Sequence, residues 1–524
     1  MALRSGVIVV TAALMVATVP ASASALASSD GKGKPTVGKR TLGDPLFPQI
    51  GNGGYDVDHY RIYLNYDPTD NVFKSAKTTI RATADRKLKR FSLDFQDLDV
   101  SSVKVDGRPA RFKQVDATPV LSSNPVVTQP MKLVVTPRPS SRPKAGRNFT
   151  VKVKYSGTPK AITDADESVE GWIRACYPLA EPQTCDGSFV VNEPIGAQSW
   201  FPSNNYPSDK ATFRTLIRVP KGKTALGIGE NIGNKKHRDG TVTWRWLEDA
   251  PTATYLTTAT VGDFKYVVGS MREKSTGRSL PVYNAVDSSA TAEQADAVQA
   301  SLDQAPGQLN FLSRLYGPYP FDSTGAVADR AAGVGYALEV QGKPHYAGNY
   351  RTGDPAINVG TQLHELAHQW FGNRVTLQTW ADIWFNEGWA NWSTWYWSAK
   401  KSDGKDPAAL FDDLYASTPA EDWEIAPAIL GGDPSNLFEF FPTYQRGAMT
   451  LQGYREIVGD AKFFGLSRKL GKRYAYSNIN TAQFIRQAKK ASGLKGAKRA
   501  LLDDYFEQWL YGETKPTILP ENFA

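Results

Sequence analysis

Cysteine is nearly absent: 524 residues carry two, Cys176 and Cys185. They sit in a turn-rich stretch with eight residues between them, and a zinc site there would need more ligands than the segment offers. Histidine is scarce as well, at five. Beyond the first 27 residues no apolar run approaches the roughly 20 residues that a membrane-spanning helix needs, which argues against stable membrane insertion. No nucleic-acid module signature, internal repeat or low-complexity tract occurs, so a nucleic-acid partner is not expected. What remains is an ordinary globular composition, 41% hydrophobic and 22% charged. Its length suits two or three domains on a prior of about 150 residues each. The 13 Trp point to large packed cores.

The N-terminus has the order of a secretory signal. Arg4 precedes a nearly all-apolar run, Gly6 to Val19, and small-x-small sites follow at Ala21-Ser22-Ala23, Ala23-Ser24-Ala25 and Ala25-Leu26-Ala27. Residues 1–27 are therefore expected to be a cleaved signal peptide, and the protein to be secreted. In an exported chain Cys176 and Cys185 read as one short-loop disulfide, worth roughly 2–3 kcal/mol in the loop-entropy model, with two free thiols as the alternative. The net charge of +8 has a late basic excess in Lys462, Arg468, Lys469, Lys472 and Arg473. These cations are interleaved with Phe463, Leu466 and Leu470 at helical spacing, which is the pattern of a solvated helix face.

Residues 28–44 are polar and rich in Gly and Pro, the composition of a flexible leader. From Tyr55 the texture alternates: Tyr60, Ile62, Leu64 and Tyr66 against Arg61, Tyr63 and Asn65. Val151, Val153 and Tyr155 repeat the alternation, as do Val242, Trp244 and Trp246, so an antiparallel β domain is predicted over 45–262. Helical texture follows. Thr291 and Gln294 make a capping box that opens a segment running towards Leu315, stopped by Gly317-Pro318-Tyr319-Pro320. Helical patterns also fit 355–374, 384–400 and most of 440–511. The chain therefore divides into a catalytic domain over 263–440 and a helical C-terminal region over 441–524.

The chemistry lies in Leu363-His364-Glu365-Leu366-Ala367-His368-Gln369-Trp370. Positions i and i+4 share a helix face, so His364 and His368 can reach one metal ion, while Glu365 can approach a water on that metal as base. Eighteen residues later Asn386-Glu387-Gly388 offers a carboxylate from a neighbouring helix. Two His and one Glu leave a fourth position to water, which is the open arrangement of a catalytic zinc rather than a closed structural one. Seven Trp between Trp370 and Trp397 read as packing around the two metal-bearing helices. His59, His237 and His345 have no matched partners and read as structural. Asp382 is a candidate to orient a ligand histidine.

This spaced motif resembles the gluzincin aminopeptidases related to aminopeptidase N and leukotriene hydrolase, and other stretches match in the same order over roughly 50–515. Gly317-Pro318-Tyr319-Pro320-Phe321 is similar to the stretch before that family's substrate loop. Tyr444-Gln445-Arg446-Gly447-Ala448 is similar to its Tyr-x-Lys/Arg-Gly segment, and Glu193 stands before Phe201-Pro202 and Pro207 as its amine-binding Glu does. The resemblance implies one zinc ion per chain on His364, His368 and Glu387, Glu365 as catalytic base and Tyr444 as oxyanion donor. It implies Glu339 and Glu193 as ligands of a peptide's free N-terminus.

Two departures stand out. The family's Gly-Ala-Met-Glu-Asn loop is here Tyr336-Ala337-Leu338-Glu339-Val340, which keeps the Glu and loses the flanking Gly and Asn. The sequence also reads as a short member without the large C-terminal helical domain. The expected fold is α+β: a β-rich N-terminal domain, a thermolysin-like zinc peptidase domain and a short helical C-terminal region. The expected activity is that of a secreted zinc aminopeptidase. Its rivals are an endopeptidase or epoxide hydrolase on the same site and a non-catalytic binding homologue, the last disfavoured by the intact His364, Glu365, His368 and Glu387.

Overall fold

The computed structural model describes residues 34–177, 183–331, 333–347, 356–401 and 404–524. The expected signal peptide and residues 28–33 lie outside the described residues. Residues 34–44 do not behave as a free leader. Thr36–Val37 pairs in parallel with Leu88–Asp94, and the amides of Thr36 and Gly38 donate to the carbonyls of Lys87 and Arg90, both at 2.8 Å. The apolar residues just beyond, Leu46, Phe47 and Ile50, are buried and anchor that path.

Alternating residues build the first part of the chain. Strand Tyr55–Asp67 lies between Val72–Ala84, antiparallel, and Ala211–Pro220, parallel, and the sheet continues through Arg147–Gly157 and Thr241–Thr252. Tyr60, Ile62, Leu64 and Tyr66 are buried as their spacing requires, and so are Val151, Val153 and Tyr155. Along Thr241–Thr252 the alternation is blurred: Thr243 and Trp246 are buried while Val242 and Trp244 are only half-buried. The reason is that this strand is covered from a second side, where Trp244 packs on Tyr266 and Trp246 on Tyr283. A second sheet carries the hairpin Val169–Tyr177 and Thr184–Val191, whose facing residues Cys176 and Cys185 form a disulfide.

The middle of the chain forms a third sheet in the order Phe264–Arg272, Ser279–Asp287, Thr324–Ala328, His345–Tyr346, Ala337–Leu338. Nine α-helices are described: α1 Ala292–Leu302, α2 Ala305–Tyr316, α3 Val359–Ala367, α4 Ile383–Lys401, α5 Pro407–Ser417, α6 Arg446–Val458, α7 Asp460–Arg473, α8 Thr481–Ser492 and α9 Gly496–Phe506. Thr291 and Gln294 exchange both bonds of the capping box. The segment they open is broken after Leu302 and restarts at Ala305-Pro306, because proline is tolerated in a first turn but not in a helix interior. On α7, Phe463, Leu466 and Leu470 are buried while Lys462, Arg468, Lys469 and Lys472 are exposed, the solvated face read from the sequence.

α3 and α4 share an aromatic core. Trp370, Trp384, Trp389 and Trp392 are each wholly buried in it, and Trp389 stacks on Phe371 with centroids 4.5 Å apart. α4 crosses α6 where two glycines meet. A Cβ on Gly388 would lie 2.8 Å from the Gly447 carbonyl carbon and 3.1 Å from its Cα. Those are backbone atoms and cannot swing aside. Gly388→Ala gains helix propensity of up to about 1 kcal/mol, yet it is expected to destabilise the fold by about 1–3 kcal/mol through overpacking. Denaturant unfolding of wild type and variant measures this, and an unchanged midpoint would refute the close-contact argument.

Candidate active site

Three elements bring the predicted residues together. α3 is capped by Asn358, whose Oδ1 accepts from the amides of Gly360 and Thr361, and it ends at His368 rather than running to 374. Its end has a local cause. Gly372 turns the chain at φ +135°, and a Cβ there would sit 3.0 Å from His368 Nδ1. That Nδ1 lies 3.1 Å from the Phe371 carbonyl, a main-chain partner that orients the ring. Asp382 does not take this role. One of its oxygens accepts from Thr379 and the other from the amide and hydroxyl of Thr481, so it ties the start of α4 to α8.

His364, His368 and Glu387 converge, each offering one ligand atom within 4.8 Å of the others. Glu387 Oε2 lies 3.0 Å from His364 Nε2 and 3.4 Å from His368 Nε2. A tetrahedron with metal–ligand arms of ~2.05 Å has edges of about 3.3 Å, so this two-nitrogen, one-oxygen set fits a zinc ion. Glu365 is 6% exposed and groups with Glu339 and His368 within the same span. Tyr444 stands against the other flank of His364, ring centroids 5.9 Å apart.

Tyr444 sits in a π-helical segment, Phe440–Gln445, that leads into α6 and was not foreseen as distinct from it. Asn391 of α4 donates to the Tyr444 carbonyl at 3.2 Å. Arg446 is fully buried and donates to five carbonyls, those of Trp423, Ile425, Gln508, Trp509 and Gly512. It anchors this turn to the C-terminal segment and takes no place at the metal ligands.

Glu339 follows the edge strand Ala337–Leu338, and its carbonyl accepts from Gln369 Nε2 at 3.2 Å and Asn373 Nδ2 at 2.8 Å. These two side chains, one and five positions past His368, bolt the loop to the turn that ends α3. Sequence reading missed them, although Gln369 adjoins the motif. Val340, in place of the family's Asn, is wholly buried among core residues that include Val334 and Leu338. Glu193 lies between Thr184–Val191 and a short 3-10 turn, and the Glu170 carboxylate fixes the backbone beside it by accepting from the amides of Ile195 and Gly196. Glu170 was also missed. Glu193 and Glu339 each keep a buried Oε1 without a hydrogen-bond partner. His59 and His237 pair with Thr212 and Thr243, and His345 lies buried beside Thr258 and Thr260, all apart from this cluster.

Electrostatics follow from burial. Burial, reinforced by Glu339, Glu387 and Glu365, pushes Glu193 well above the usual carboxylate range. Burial does the same to Glu365 and lifts Glu339 to about 7. Glu387 is held down, to about 2: burial opposes its charge, but His368 and His364 outweigh it. Tyr444 is raised well above its ordinary value, first by burial and then by the surrounding carboxylates. Three of these four buried carboxylates are thus raised, because the protein's own groups supply too little positive charge for all of them.

The chain is similar to known proteins over two regions that hold most of these residues. The Peptidase M1 N-terminal domain matches residues 56–256 and the Peptidase family M1 domain matches residues 350–509. Aminopeptidase 2 of Candida albicans is 26% identical over 463 residues, 82% of this chain and 45% of that protein. Endoplasmic reticulum aminopeptidase 1 of Homo sapiens is 27% identical over 361 residues, 64% of this chain and 35% of that protein. The chain thus spans less than half the length of these relatives. The crystal structure of an M1 zinc metallopeptidase from Deinococcus radiodurans superposes with a TM-score of 0.75 at 25% identity, covering 91% of this chain and 99% of that one. The matched regions hold Glu193 in one and His364, Glu365, His368, Glu387 and Tyr444 in the other, in family order, and the chain belongs to peptidase family M1.

Proposed function

We propose that this protein is a zinc aminopeptidase that binds one ion per chain and releases residues singly from the free N-terminus of peptides. The observation that carries the reading is the pairing of a His364–His368–Glu387 ligand set with two buried, unpartnered carboxylates, Glu339 and Glu193. Zinc held by the three ligands supplies polarisation of the scissile carbonyl and acidification of a water. Glu365 accepts that water's proton and delivers it to the leaving amine. Burial keeps the Tyr444 hydroxyl protonated across physiological pH, so it donates to the oxyanion as charge develops. Glu339 and Glu193 bind the substrate ammonium, which is what limits cleavage to one residue.

Export is part of the proposal and rests on the Arg4, Gly6–Val19 and small-x-small order of the first 27 residues. N-terminal sequencing of protein recovered from the medium of an expressing culture should begin between Ser24 and Ser28. Retention of the full N-terminus inside cells would remove this part.

Chelation is expected to abolish activity, with recovery on adding zinc at one equivalent. Glu365→Gln should keep that equivalent and lose about 100- to 10,000-fold in kcat, the range for a removed general base. Tyr444→Phe should lower kcat by roughly 100-fold with a smaller effect on KM. Metal analysis beside kinetics reads both, and near-normal turnover in Glu365→Gln would sink the assignment.

Blocking the substrate's amine tests the exopeptidase claim separately. Acetylation should lower kcat/KM by at least about 3 kcal/mol equivalent, because buried carboxylates lose their partner. Glu339→Ala should lose most activity on free-amine peptides while zinc stays bound, and Glu193→Ala should show a weaker loss. Internal cutting of acetylated peptides at the rate of free ones would leave the metal site standing and refute aminopeptidase action.

A further inference from the structure

A cavity of about 170 Å³ opens beside the site and is lined by Asp166, Ser168, Glu193, Tyr336, Ala337, Leu338, Phe438 and Tyr444. Its position assigns its occupant. Glu193, 7% exposed and with Oε1 unpartnered, reaches it from the amine-binding side. Tyr444 reaches it from the side of the scissile bond. A group lying between the α-ammonium and the carbonyl under attack is the side chain of the substrate's first residue.

The lining is apolar on one part and acidic on another. Ala337, Leu338 and Phe438 offer surface for methylenes, and no lysine or arginine among the described residues lines the cavity. Asp166 comes from the turn of the hairpin that joins Ala161–Thr163 to Val169–Tyr177. Its Oδ1 accepts from the Ser168 amide at 3.0 Å, which fixes the carboxylate and leaves Oδ2 for a ligand. Behind it stand Asp164, buried with both carboxylate oxygens unpartnered, and Glu170. The α-ammonium accounts for Glu193. It does not account for Asp166.

Building on the aminopeptidase reading, we propose that Asp166 makes this pocket select substrates whose first residue carries a cationic side chain, arginine or lysine. Such a chain lays its methylenes on Leu338 and Phe438 and presents its charge to the fixed carboxylate. An acidic first residue meets repulsion in the same place, and a neutral one gains only the apolar contact.

Citrulline separates charge from size, since it has nearly the shape of arginine without the positive charge. Arginine, citrulline and leucine anilides are compared on zinc-loaded wild type and on Asp166→Asn, which retains the Oδ1 acceptor for Ser168. Wild type is expected to prefer arginine to citrulline by about tenfold or more in kcat/KM, as for a partly buried ion pair. Asp166→Asn should collapse that ratio while leaving citrulline and leucine within about threefold of wild type. Equal use of arginine and citrulline by wild type would overturn the proposal and leave the aminopeptidase reading intact. So would a uniform loss on all three in Asp166→Asn, the mark of a merely structural turn residue. If none of the anilides is cut while internal peptide bonds are, the aminopeptidase reading fails and this inference fails with it.

Discussion

The contact between Gly388 and Gly447 sets the distance from which the rest of the site is measured. Because backbone meets backbone there, α4 and α6 cross closer than any side chain allows. Glu387 precedes one glycine by a single residue and Tyr444 precedes the other by three, so the proposed metal ligand and the proposed oxyanion donor inherit the spacing of that crossing. Asn391, one turn further along α4, then holds the Tyr444 carbonyl. Arg446 fixes the turn from the other side by gathering five carbonyls, three of them from Gln508, Trp509 and Gly512. The last part of the chain therefore carries part of the site's geometry while supplying no group to the chemistry.

Charge is the second constraint, and it opposes folding. Glu193, Glu339, Glu365 and Glu387 are each less than 10% exposed and lie close enough to raise or perturb one another. A sequence selected for stability alone would not bury four carboxylates beside two histidines. On the proposed function the counter-charges come from outside the chain, a dication at His364, His368 and Glu387 and an ammonium at Glu339 and Glu193. Local rules are then broken at this place because the proposed ligands would complete it.

How much of this was legible follows from how far each signal travels along the chain. His364, Glu365 and His368 could be read because helical periodicity alone puts two imidazoles 4.7 Å apart, centroid to centroid. Glu387 followed from its spacing after His368, whereas Tyr444, Glu193 and Glu339 came from the family resemblance, since no local rule links them to His364. The extent of α3 was overestimated because Gly372, needed for the ring of His368, ends it early. Over 34–44 the reading as a flexible leader fails because polar, glycine-rich composition also suits a chain that pairs by its backbone, as Thr36–Val37 does. Gln369, Asn373 and Glu170 stayed hidden because each acts on main-chain groups, and such bonds leave no pattern in a single sequence. Asp382 misled for the converse reason: a buried acid near a metal motif caps Thr481 as readily as it orients a histidine.

The altered loop shows how the two matched regions depend on one another. Tyr336 replaces a glycine of the family pattern, and its hydroxyl donates to the Val169 carbonyl at 2.8 Å, joining the substrate loop to the hairpin that bears Asp166. Lys210, from the strand-rich part, enters the turn after His368 and donates to the Asn373 carbonyl and to Thr376 Oγ1. Asn373 in turn holds the Glu339 carbonyl. A continuous set of hydrogen bonds thus runs from the N-terminal sheets through the turn after His368 to Glu339, one of the two proposed amine ligands, while Glu193 arrives directly from those sheets. Having Val rather than Asn at position 340 removes a polar side chain from the loop, but Val340 packs into the core and Gln369, Asn373 and Tyr336 hold the loop by hydrogen bonds.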